Sequence, residues 1–213
     1  MDCAAFRKRV TAAKRTELDR LGSASLLAAL TDADPTTRRV LEAAADSEHA
    51  AHTTFSRWAA DGDDERARQA FEDVADRERA HRRRVLGALP ASASGYEPHD
   101  GGPLHEYLRG REGAILRVAT GMVGRGLVAD RTHSQLLSFF VDAGDSERAD
   151  LFRDLREETA AGTDRGLDLL TTLCETDGDW ADARAVAEYT IQVAYDDYVD
   201  ALREAGVDPA AVH

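Results

Sequence analysis

Apolar positions recur three and four apart along almost the whole chain, the period of helices that bury one face. After Asp64 the series Ala67, Phe71, Val74, Glu78, His81, Val85 and Ala88 steps by four and three in alternation, the seam of helices packed side by side. In the preceding segment Leu41, Ala44 or Ala45, Ala51, Phe55 and Ala59 form a stripe of the same period, and Glu48 lies on it. β-Branched and aromatic residues never alternate with polar ones for long enough to predict a strand.

The pattern predicts helices over Cys3–Leu30, interrupted near Gly22, then Pro35–Ala60, Asp64–Ala88, Leu104–Val141, Ser146–Cys174 and Trp180–Ala205. Asp34 before Pro35 reads as an N-cap followed by proline at the first helical position. Asp61-Gly62-Asp63 and Ala143-Gly144-Asp145 each place a stop glycine beside a start aspartate. Such short turns make the flanking helices antiparallel neighbours. The strongest interruption is Leu89–Pro103, with three prolines and three glycines. The expected fold is all-α: an antiparallel four-helix bundle of hairpins 35–88 and 104–175, with an extra helix at each end (3–30 and 180–205), in a single domain 1–213.

The hairpins echo each other at an offset of 82 residues: Ser56, Gly62, Asp63, Glu65, Arg66 and Ala67 recur as Ser138, Gly144, Asp145, Glu147, Arg148 and Ala149. A duplicated helical hairpin is the simplest account of the echo.

Charge changes the picture from fold to partners. With 40 acidic against 27 basic residues and a net charge of −13, the chain is a poor match for nucleic acid or anionic lipid. Lys8 and Lys14 are the only lysines, and this Asp-, Glu- and Arg-rich surface resembles that of proteins from extreme halophiles. No stretch reaches the roughly 20 apolar residues of a membrane span, and Met1–Val10 carries no signal-like run, so a cytoplasmic location is expected. Cys3 and Cys174 make no Cys-x-x-Cys metal knuckle.

The chemistry lies where polar groups interrupt the seam. Glu78 and His81, three apart, share one helical face and can turn ligand atoms toward one ion. Burying a charged carboxylate without compensation costs on the order of several kcal/mol, so a metal, a counter-charge or hydrogen bonds must accompany it. The plain alternative is a solvated helix edge, or an ion pair with Arg82, Arg83 or Arg84. Carboxylate and imidazole together suit iron or manganese.

Glu48 and the run Phe71, Ala75, Glu78, Arg79, Ala80, His81, with 30 residues from one glutamate to the other, resemble the first half of a rubrerythrin-like or ferritin-like di-iron bundle. Thr16–Ser23 and Asp164–Leu170 are similar to haloarchaeal proteins of the rubrerythrin name. The resemblance spans most of the chain and implies two iron ions, or manganese, held by single glutamates on two helices and Glu-x-x-His on the other two. The second half departs from this pattern. The offset sets Asp130 opposite Glu48, with His133 three residues on, while Glu158 is followed by Thr159, Ala160 and Ala161 and no histidine lies within Ser146–Cys174. The candidate ligands are therefore Glu48, Glu78 and His81, then Asp130, His133 and Glu158, with His52 on the same stripe as Glu48.

The resemblance implies an oxidoreductase acting on peroxide or dioxygen, or oxidising iron, with electrons from a separate donor. Two other readings stand beside it: a degenerate ferritin-like domain that has lost the centre and serves as a binding or dimerisation module, and a single ion held by Glu48, Glu78, His81 and Asp130. A homodimer is the default assembly. Gly121, Gly124 and Gly126 read as close-contact or bend positions rather than a phosphate loop. Tyr189, Tyr195 and Tyr198 read as packing or interface residues.

Overall fold

The computed structural model describes residues 2–90 and 95–209. Its elements are α1 (Cys3–Ala13), α2 (Arg15–Leu21), α3 (Ser25–Leu30), α4 (Thr37–Asp61), α5 (Glu65–Gly87), α6 (Gly102–Arg109), α7 (Ala114–Arg117), a π-helical stretch (Val118–Gly124), α8 (Arg125–Asp142), α9 (Ser146–Leu173) and α10 (Asp177–Glu204). Among the described residues there is no strand. No helix is long and apolar enough to cross a membrane. Of the Leu89–Pro103 interruption, residues 91–94 lie outside the described part.

Local chemistry sets several boundaries differently from the pattern. The first helix is three short ones, folded so that Phe6, Val10, Leu18, Leu21 and Leu26 are all buried. Thr36, not Asp34, caps α4 by accepting the Arg39 N–H at 3.3 Å, which leaves Pro35 outside the helix. Asp64, not Asp63, caps α5 through the Ala67 N–H, whereas Asp145 caps α9 as expected. The expected Leu104–Val141 helix breaks after Arg109, because Gly110 ends α6 and Gly113 takes a left-handed φ of 74° before the chain restarts. From Ala114 to Asp142 it runs on without interruption. The π-helical stretch lets Gly121 pass so close to Trp58 that a Cβ there would come within 2.4 Å of the indole ring.

α4 pairs with α5 and α8 with α9, and α5 meets α9 across the two hairpins. Apolar side chains of these four helices form a cluster at one end from Val40, Leu41, Ala45, Val85, Leu136, Phe140, Phe152 and Leu155. A second, larger cluster holds Phe55, Trp58, Phe71, Val74, Leu167 and Leu170 at the other end. Between the two, on α4, α5 and α8, sit Glu48, Glu78, His81, Arg125 and His133, all at most 5% exposed. The core is thus two apolar blocks separated by a buried polar layer.

α10 covers the outside of this assembly, lying against the π-helical stretch, α6, α3 and α2. Its capping box, Thr176 with Asp179, fixes the start. Trp180 then packs on Phe6, with ring centroids 5.6 Å apart, and ties the terminal helices together.

Candidate metal centre

Helical spacing alone brings Glu78 and His81 to one face of α5, and the hairpin turn returns Glu48 of α4 to the same level. Ligand atoms of Glu48, Glu78 and His81 all lie within 4.8 Å of one another, and all three residues are buried. His81 Nδ1 is 3.6 Å from Glu48 Oε2 and 3.8 Å from Glu78 Oε2. Its other nitrogen, Nε2, is 2.9 Å from Glu158 Oε2 of α9. Because a carboxylate only accepts, that contact keeps the proton on Nε2 and turns Nδ1 toward the two glutamates. Arg84 holds the far side of Glu158 at 2.8 Å and reaches Asp154 with its other arm.

The second hairpin contributes cationic and donor groups. Arg125, 5% exposed at the start of α8, sets Nη1 3.4 Å from Glu78 Oε1 and Nη2 3.3 Å from Glu78 Oε2. Arg77 adds a third contact, Nη2 to Glu78 Oε1 at 3.3 Å. Its guanidinium lies where a Cβ on Gly162 would come within 2.5 Å of Nη1, so the glycine makes its place. His133 Nε2 is 3.1 Å from Glu48 Oε1.

The two glutamates end in different states. Burial pushes Glu78 above the usual carboxylate range, and the neighbouring Glu48 adds to this, against the opposing pull of Arg125 and Arg77. Burial also opposes charge on Glu48, but the neighbouring Glu78, His133 and His81 outweigh it and hold Glu48 well below its ordinary value. The same layer thus shifts the two glutamates in opposite directions. For His81, burial disfavours the imidazolium, yet Glu48, then Glu78 and Glu158, raise it above the ordinary histidine value.

Most polar atoms of the layer are satisfied, which makes the exceptions informative. Glu48 Oε2 and His81 Nδ1 face each other and have no hydrogen-bond partner among the described residues. With Glu78 they form a buried group whose ligand atoms could hold one cation. The outer side of Glu78 faces the Arg125 guanidinium, and the sequence holds no second Glu-x-x-His.

Of the other sequence candidates, His133 and Glu158 touch the cluster through Glu48 and His81 without joining the three-residue group. Asp130 stands outside it. One turn of helix separates it from His133, and its carboxylate is bound instead to Arg156 at 2.8 Å and Arg131 at 3.4 Å. The expected fourth carboxylate is therefore a surface ion pair. His52 is also outside, with Nδ1 2.9 Å from the Ala75 carbonyl. Arg125 and Arg77 are the groups sequence reasoning passed over. Arg125 carried a legible signal, since Met122, Arg125, Ala129, His133, Leu136 and Phe140 form a buried stripe at helical spacing with a cation in it.

Comparison of the chain with family profiles, curated proteins and solved structures yields no match.

Proposed function

We propose that the protein is a metal-binding, ferritin-like helical bundle whose centre is built for one divalent transition-metal ion, iron or manganese. Glu48, Glu78 and His81 would hold the ion, Glu158 would fix the tautomer of His81, and His133 would fix the orientation of Glu48. The observation that carries this reading is the facing pair of ligand atoms without a hydrogen-bond partner among the described residues, Glu48 Oε2 and His81 Nδ1, with Glu78 beside them.

An iron ion there would supply one-electron chemistry toward peroxide or dioxygen, with electrons from a separate donor protein. The chain's own groups set the conditions. The apolar blocks above and below exclude bulk water, which strengthens every charge interaction in the layer. An ion on His81 Nδ1 and Glu78 competes with protons for the same atoms, so uptake is coupled to proton release.

A second reading is favoured by Arg125: a metal-free layer in which an imidazolium and a guanidinium compensate the glutamates, in a module that only binds other molecules. Titration separates the two. Chelator-stripped protein in molar salt, titrated with Mn(II) and anaerobically with Fe(II), is expected to bind close to one equivalent. His81→Ala and Glu48→Ala should abolish binding, and Glu158→Gln should weaken it by about 10- to 100-fold, the usual effect of losing a group that orients a ligand. Absence of saturable binding to the folded wild-type protein would establish the metal-free reading.

A further inference from the structure

A half-enclosed cavity of about 340 Å³ opens between α3, α4, α6, α8 and α10, on the other side of Arg125 from the glutamates. Its volume is at the lower end of small-molecule sites, which run to roughly 300–1,000 Å³. Most of its wall is apolar, from residues such as Leu21, Leu26, Leu104, Val128 and Ala194, and Leu30 at its border is 39% exposed. The metal ligands take no part in this wall.

The polar groups of the wall are few and specific. His105, 4% exposed on α6, has Nδ1 3.0 Å from Thr54 Oγ1. Thr54 spends its only hydroxyl proton on the Ala50 carbonyl at 2.8 Å, so it accepts from His105 and the imidazole proton sits on Nδ1. Burial, with Arg125 and Arg109 nearby, holds His105 well below the ordinary histidine value, so the ring is neutral and Nε2 carries a lone pair. None of the described residues hydrogen-bonds that nitrogen. Tyr198, 4% exposed on α10, has a hydroxyl buried in the same wall without a partner. A buried phenol left unpaired costs about 1–3 kcal/mol, and His105 supplies the accepting nitrogen of the wall.

The charges of the wall select among heads. Asp46 and Asp197 stand against an anion; Asp197 is already held above its usual range by burial and then by Asp200 and Glu204. Arg125 stands against a cation. A neutral hydroxyl meets both conditions and donates to His105 Nε2, while a short apolar body fills the remaining wall.

We propose that this cavity is a binding site for a small neutral alcohol or phenol with an apolar body. The probes are 1-octanol, octanoate and octylamine, matched in length and differing in head charge, titrated into the full chain in high salt and followed by isothermal calorimetry. Octanol is expected to bind saturably at one site, at least about tenfold tighter than either charged analogue, since 1.4 kcal/mol is a tenfold change. His105→Phe should weaken octanol about tenfold and leave octylamine unchanged, and Ala129→Leu, which fills the wall from α8, should weaken all three. The same titrations on chelator-stripped protein should agree with those on metal-loaded protein, so this proposal and the metal reading fail separately. Saturable binding of none of the three, preference for octanoate or octylamine, or octanol binding untouched by Ala129→Leu would each overturn it.

Discussion

The two hairpins share an architecture and differ in the sign of what they bury. α4 and α5 place Glu48, Glu78 and His81 in the polar layer, whereas α8 places Arg125 and His133 there and α9 brings Glu158 to its edge with a side chain 46% exposed. The two hairpins thus share the pairing of long helices, while their turns differ, Gly62 being extended and Gly144 left-handed at φ 70°, and so does their chemistry. A symmetrical pair of acidic hairpins would need two divalent ions to neutralise it. Here the second hairpin supplies counter-charge through the Arg125 guanidinium instead.

Removing the acid that both hairpins share should have the largest effect. Glu78→Ala leaves Arg125 and Arg77 buried without their carboxylate, and breaking a buried pair on one side costs about 3–5 kcal/mol. Urea denaturation in constant high salt measures it. A loss below about 1 kcal/mol would mean that the guanidinium is not tied to Glu78.

Replacing both sides sharpens the contrast. Glu78→Leu combined with Arg125→Met should cost less than the sum of the singles, with a coupling of about 1–3 kcal/mol, as neighbours in one charge network show. Strict additivity would separate the two hairpins energetically.

The pH dependence of the metal-free chain is a smaller effect with a defined sign. Because the folded state raises His81 above its ordinary value of 6.5, its contribution is complete below pH 6.5 and is lost as pH rises through the raised value. Denaturation midpoints of stripped protein should fall above pH 6.5, and His81→Gln should flatten that limb. Loading with metal should oppose the fall, since the ion takes the place of the proton on Nδ1. A midpoint that rises with pH in the stripped protein would contradict the assigned direction.

The smallest effect is expected at Asp130. Its contacts are a half-exposed ion pair with Arg156 and a looser one with Arg131, so Asp130→Asn should cost no more than about 1 kcal/mol and leave metal affinity unchanged. A tenfold loss of metal affinity in this variant would restore Asp130 to the centre.

Much of the first hairpin was legible because helical period and chemistry coincide there. Glu78 and His81 fall on the seam, and the stripe of α4 passes through Glu48. The second hairpin was harder for a definite reason. Matching by offset carries Glu48 onto Asp130, but a helix turns by about 100° per residue, and the inward position of α8 is that of Arg125, Ala129 and His133. Arginine in a core stripe reads as a surface residue until its partner is located, and Glu78 is 47 residues away. The breaks at Gly110 and Gly113 and the π-helical stretch were hidden too, since a periodic apolar pattern continues across a short interruption when both sides bury the same face.

The most direct test of a one-ion centre is the electron paramagnetic resonance spectrum of the Mn(II)-reconstituted chain, with spins counted per protein. The account predicts close to one magnetically isolated Mn(II) per chain. An exchange-coupled manganese pair, or no protein-bound manganese at all, would contradict it.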